Sequence, residues 1–135
     1  TDKGIQFFST RVETSPELVS QIPIEENIRS ITYAQDKVGI VTDNVEGGDP
    51  YRLRIYDREG SPVFEKTFNY QYTGFDIDGD LVLLYNDSSC KVYNMTGTEK
   101  YNGTFDFTVS KVSAGRFPGT LLVMGPQKMT EIKLQ

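Results

Sequence analysis

Apolar and polar positions alternate with a period of two along most of this chain, and short clusters of Gly, Pro, Asn, Asp and Ser break the alternation at brief intervals. Such a pattern marks strands with one face toward a core. It predicts an opening hairpin pairing Gly4–Thr10 with Leu18–Ile24. Two four-strand units are expected next: Ile28–Ala34, Val38–Asp43, Tyr51–Asp57 and Val63–Asn69, then Tyr72–Ile77, Leu81–Asn86, Cys90–Asn94 and Tyr101–Phe107. Three further strands are expected at Val109–Ser113, Thr120–Met124 and Met129–Leu134. In each unit the second strand is the most continuously apolar, as in Val38-Gly39-Ile40-Val41, Leu81-Val82-Leu83-Leu84 and Leu121-Leu122-Val123-Met124. A continuous run implies burial on both faces. Ile40, Val41, Leu83, Leu84, Leu122 and Val123 are therefore the expected core.

One phrase recurs: Gly or Thr, then Ser or Thr, two free positions, a large apolar residue, and a second one four residues on. It stands as Thr14-Ser15 with Leu18 and Ile22, as Gly60-Ser61 with Phe64 and Phe68, and as Gly97-Thr98 with Tyr101 and Phe105. The three hydroxyl residues lie 46 and 37 residues apart, a spacing that signals stacked units of one supersecondary type. At about 40 to 45 residues per blade, 135 residues hold about three blades. The expectation is an all-β, partial propeller of antiparallel four-stranded blades. It forms one domain over residues 1–135, with units near 1–27, 28–70, 71–108 and 109–135, cut from a longer repeat region.

Composition narrows the chemistry. Eight Tyr and eight Phe with no Trp suit pleated sheets. The net charge is −5, and no segment concentrates Lys and Arg, so nucleic acid is not an expected partner. No apolar run approaches the roughly 20 residues of a membrane span. The absence of histidine removes the commonest general base and every Ser-His or Cys-His arrangement. The single cysteine, Cys90, sits among Leu83, Leu84, Val92 and Tyr93 and reads as a small buried hydrophobe. Asn86, Asn94 and Asn102 each head an Asn-x-Ser/Thr sequon; turn-rich β proteins also contain such triplets by chance.

The phrase from the third to the fourth strand, Leu53-Arg54-Ile55-Tyr56-Asp57 with Gly60-Ser61 and Cys90-Lys91-Val92-Tyr93-Asn94 with Gly97-Thr98, resembles the repeat of quinoprotein-like and WD40-like propellers. Phe75–Phe105, together with Glu131-Ile132-Lys133-Leu134, is similar to an uncharacterised propeller-like family of Gram-positive bacteria classed as a domain of unknown function. Members of that family have a short cytoplasmic start, one membrane-spanning helix and an extracytoplasmic repeat region. The resemblance therefore implies an extracytoplasmic protein anchored through a segment outside this chain. It supplies no catalytic residues, and the Trp-Asp and Gly-His signatures of true WD40 repeats are missing.

Two constellations remain. Asp76, Asp78 and Asp80 alternate like calcium ligands, but Gly79 precedes the third acid where an EF-hand glycine would follow it, which fits a tight hairpin turn better. Tyr51, Tyr56, Tyr70, Tyr72 and Tyr93 recur near strand ends and are candidates for an aromatic binding face. No catalytic residue and no cofactor is expected. The sequence reads as a non-catalytic interaction or scaffold module with a protein or peptide partner, against two rivals: a glycan- or peptide-binding sensor and a metal-dependent hydrolase or lyase. Open blade ends, with an unpaired strand edge at Leu134, predict a homodimer.

Overall fold

The computed structural model describes residues 4–9, 17–24, 26–34 and 36–134. Its strands are β1 (Gly4–Ser9), β2 (Glu17–Pro23), β3 (Ile28–Ala34), β4 (Lys37–Asp43), β5 (Tyr51–Asp57), β6 (Pro62–Phe68), β7 (Gly74–Asp78), β8 (Leu81–Tyr85), β9 (Ser89–Asn94), β10 (Glu99–Thr104), β11 (Lys111–Ala114), β12 (Thr120–Met124) and β13 (Met129–Lys133). Each pairs antiparallel with its neighbour in sequence, giving sheets β1–β2, β3–β4–β5–β6, β7–β8–β9–β10 and β11–β12–β13. Among the described residues every regular element is a strand. The architecture is all-β and propeller-like, as the alternation predicts. The chain divides into two compact units, residues 1–69 and 70–135.

The recurring phrase has a local cause. Asp57 and Asn94 open identical turns: the Asp57 N–H donates to the Ser61 carbonyl at 2.9 Å and the Gly60 N–H to the Asp57 carbonyl at 3.0 Å, matched by Asn94 with Thr98 at 2.9 Å and Gly97 with Asn94 at 3.1 Å. The side-chain oxygen of each then accepts two further backbone N–H groups, from Glu59 and Ser61 or from Thr96 and Thr98. Gly60 and Gly97 sit at φ 87° and 83°, the left-handed region that glycine adopts at no steric cost. A bulge follows in both hairpins, at Val63 and at Lys100. The two free positions of the phrase are thus the first strand residue, Pro62 opposite Tyr56 or Glu99 opposite Tyr93, and the residue that the bulge inserts. Thr14, Ser15 and Pro16 lie outside the described residues.

In the unit of residues 1–69, Ile24, Ile40 and Tyr56 form a buried cluster with Ile28 and Val38 packed against it. Next to Ile40 in register, Arg54 pairs with Glu26 at 2.6 Å, both side chains only 14% exposed. Arg52 reaches Glu46 at 2.6 Å, Asn44 at 3.1 Å and Glu65. Charges withdrawn from water this far need partners, and here each guanidinium has one.

In the unit of residues 70–135 the core lies between the sheets β7–β10 and β11–β13: Leu81, Leu83, Cys90, Val92, Val109, Val112, Leu121 and Val123 are buried together. Ile40, Val41, Leu83, Leu84 and Val123 are fully buried, as expected. Leu122 is not. It is half-buried, because it stands in register with Ser113 and Glu131 on the face of β12 opposite Leu121 and Val123. A second correction concerns strand ends: β10 stops at Thr104 and β11 starts at Lys111, so Phe105–Phe107 and Val109 lie in a connection where strand was expected.

Candidate functional site

That connection builds the site. The Phe105 N–H still donates to the Ser88 carbonyl at 2.8 Å, and the Val109 N–H turns back to the Asp87 carbonyl at 2.8 Å. The segment between them leaves the ladder, with Phe105 and Phe107 half-buried against the edge of the core and Asp106 and Thr108 exposed. Tyr101, Phe105 and Phe107 form an aromatic row, with ring centroids 6.3 Å apart at 19° and then 5.5 Å apart at 44°. Thr104, Phe105, Asp106, Phe107, Lys128 and Thr130 line a shallow groove of about 500 Å³. The Lys128 ammonium lies 5.1 Å from the centre of the Phe107 ring and 3.5 Å from the exposed Asp106 carboxylate. The lining mixes the two aromatic rings with Thr104, Thr130 and the Asp106–Lys128 pair at the rim.

An equivalent place in the preceding sheet shows what is special about it. The turn after β8 closes with the Asn86 N–H on the Ser89 carbonyl at 3.1 Å, and the turn after β12 with the Gly125 N–H on the Lys128 carbonyl at 2.7 Å. Ser89 and Lys128 therefore correspond, as do Lys91 and Thr130. Tyr70 takes the place of Phe107: its hydroxyl meets the Ser89 hydroxyl at 2.7 Å, and the Lys91 ammonium lies 5.9 Å from its ring centre. Burial pushes the Tyr70 phenol up from its ordinary value. Here β10 runs alongside, with Asn102 opposite Lys91 and Thr104 opposite Ser89. Among the described residues no strand runs alongside β13. Among the described residues the groove at Phe107 has no flanking strand where the one at Tyr70 has β10.

The acidic triplet does another job. Asp78 accepts the Ala114 N–H at 2.8 Å, tying the edge strand β7 to the edge strand β11. Asp76 accepts its own neighbour's N–H, from Ile77, at 2.9 Å, and Asp80 is an exposed turn residue. The structure does not bring the three carboxylates together, and among the described residues no three acidic, cysteine or histidine side chains gather in a metal-ligating group. The cause is the hairpin at Gly79, φ 63°, which turns Asp80 off the strand that carries the other two.

Of the five tyrosines, Tyr56 and Tyr93 are core residues, 6% and 1% exposed, and present no binding face. At these positions β5 and β9 are buried on both faces, Ile55 beside Tyr56 and Val92 beside Tyr93, which strand-end location alone did not reveal. Tyr51 is half-buried against Phe68, ring centres 5.4 Å apart, with the Arg29 guanidinium 5.6 Å from its own. Tyr72 stands edge-on to Phe75 at 6.3 Å. Cys90 is fully buried, and burial pushes its thiol up to about 12, so it carries no nucleophile. The sequon asparagines Asn86 and Asn94 cap turns; the Asn86 amide nitrogen, the atom a glycan would occupy, donates to the Gln71 carbonyl at 2.8 Å.

A family of unknown function (DUF5711) has a model that matches residues 1–134. No curated protein matches the sequence. Among solved structures, the crystal structure of HIRA residues 644–1017 superposes with a TM-score of 0.56 at 12% identity, over 97% of this chain and 38% of that one. The chain thus spans well under half of that protein segment, and at this identity the likeness speaks to fold alone.

Proposed function

The chain belongs to that family of unknown function, and from this premise we propose that it is a non-catalytic, extracytoplasmic interaction or scaffold module whose blades hold a protein or peptide partner. The observation that carries the reading is the row of Tyr101, Phe105 and Phe107 beside a shallow groove with Lys128 at its rim. Aromatic rings that present an apolar face next to polar groups supply contact area for the side chains of a bound chain. The polar side chains elsewhere support a structural role: Asp57, Asn86 and Asn94 cap turns, Asp78 straps two edge strands, and Arg52 and Arg54 are held by carboxylates. Anchoring, on this reading, is supplied by a segment outside residues 1–135.

Two measurements test it. Protease added to intact cells that produce the full-length protein should cut within these blades; complete protection contradicts the extracytoplasmic assignment. Screening extended peptides by melting-temperature shift should find saturable binders whose effect Phe107→Ala abolishes. The aromatic row also favours a second reading, a glycan sensor, since flat rings stack on sugar faces. Saturable shifts with glycans alone, lost in the same variant, would select it.

A further inference from the structure

We propose that Thr42, Arg52 and Arg54 hold one ordered water molecule inside the blade β3–β6, and that this water joins the guanidinium that grips the loop of residues 44–50 to the one that grips Glu26. The inference is independent of the aromatic groove and of compartment.

Three buried side-chain polar atoms among the described residues make no hydrogen bond to the protein: Thr42 Oγ1, Arg52 Nε and Arg54 Nε. They are not scattered. Thr42 on β4 stands directly opposite Arg52 on β5, and Ile40 stands opposite Arg54. Residues opposite each other in an antiparallel pair, or two apart along one strand, project on the same face. All three atoms therefore belong to neighbouring side chains on one face of the sheet. Thr42 is fully buried, and both arginine side chains are 14% exposed. On its other flank Thr42 faces Ile28, whose side chain has no hydrogen-bonding group. Beyond Arg52, the Thr67 hydroxyl already donates to Asp49 at 3.0 Å. Buried polar groups are met by protein or by ordered water, and a water needs two to four polar partners, as this face supplies.

The unpartnered groups define the ligand. The terminal nitrogens of Arg52 go to Glu65, Asn44 and Glu46, and one of Arg54 goes to Glu26 at 2.6 Å. Of the three unpartnered groups, two are Nε–H donors and the third is a hydroxyl, so the ligand must accept two hydrogen bonds and still engage Thr42. Water does both: its oxygen accepts from the two Nε–H groups, and one of its protons goes to Thr42 Oγ1. A halide ion would accept from all three groups, but it fails on charge. Two guanidiniums meet three carboxylates, those of Glu26, Glu46 and Glu65, and two positive with three negative charges leave −1. A further anion withdrawn from water would meet that excess of its own sign. Arg52 holds Asn44 and Glu46 of the loop, and Arg54 holds Glu26, so the water completes a continuous polar chain from the loop across β5.

A high-resolution crystal structure of the chain, solved with and without a bromide soak, reads the site directly. Density for one water within hydrogen-bond reach of Thr42 Oγ1, Arg52 Nε and Arg54 Nε is expected, with no anomalous bromide peak there. Thr42→Val keeps the shape of the side chain and removes the hydroxyl. The water peak should then vanish and the melting temperature fall by about 3–6 °C. Thr42→Ser keeps the hydroxyl and should keep the water. Without a bound water the opposite is required, because a fully buried hydroxyl with no partner is better replaced by a methyl group. A melting temperature that Thr42→Val leaves unchanged or raises therefore overturns the proposal. So does a wild-type structure with no density between the three atoms, or one in which they bond directly to protein groups. A bromide peak at the site overturns it in favour of an anion.

Discussion

The sheets β7–β10 and β11–β13 are built from the same repeat, yet they bury their second strands differently. In β8 Leu81, Val82, Leu83 and Leu84 are all buried; in β12 Leu121 and Val123 are fully buried and Leu122 and Met124 only partly. The two runs are equally apolar as text. Burial is decided by what packs on each face, and a continuous run permits two covered faces without supplying them. The contrast extends to the outer edge, where β10 flanks β9 and β13 has no described neighbour beyond β12.

The largest expected effect that would break this contrast is in the core. Leu83→Ala removes a fully buried side chain and should cost about 2–5 kcal/mol by lost transfer energy plus cavity, whereas Leu122→Ala, on the half-open face, should cost about 1 kcal/mol. Equal losses in denaturant unfolding would mean that both faces of β12 are covered.

Next in size is the turn after each second strand. Gly125 occupies the position of Asn86, and a Cβ there would lie 2.6 Å from the Thr108 carbonyl oxygen and 2.9 Å from the Phe107 ring. Gly125→Ala should cost about 1–3 kcal/mol by overpacking and should disturb the groove through Phe107. Unchanged stability would mean that the segment carrying Thr108 moves freely.

The smallest effect is electrostatic. A hydrogen bond from Arg116 is the main cause that holds the Glu131 carboxyl below its usual 4.5. A folded-state pKa below the unfolded one contributes stability above the unfolded value and loses it as pH falls through the folded one. The melting-temperature gap between the wild type and Arg116→Ala should therefore be present at pH 7 and shrink as the pH falls below the usual 4.5. A gap independent of pH would assign the effect to packing of the Arg116 stem.

Much of this was legible in the sequence. Gly60-Ser61 and Gly97-Thr98 announced two hairpins because their turn chemistry is local, and Asp78-Gly79 announced a third. The groove was not legible. Tyr101–Phe107 alternates correctly for one long strand, and nothing in that pattern says that pairing stops at Thr104, since the end is set by where β9 begins its turn. Tyr56 and Tyr93 were misplaced for the converse reason: strand-end position suggests a wet edge, but both face packed neighbours.

Melting-temperature shifts with a library of extended peptides, measured on the wild type and on Phe107→Ala, test the aromatic groove most directly. The account predicts a saturable shift that Phe107→Ala abolishes. A saturable shift that Phe107→Ala leaves unchanged, or no saturable shift with any peptide, would contradict it.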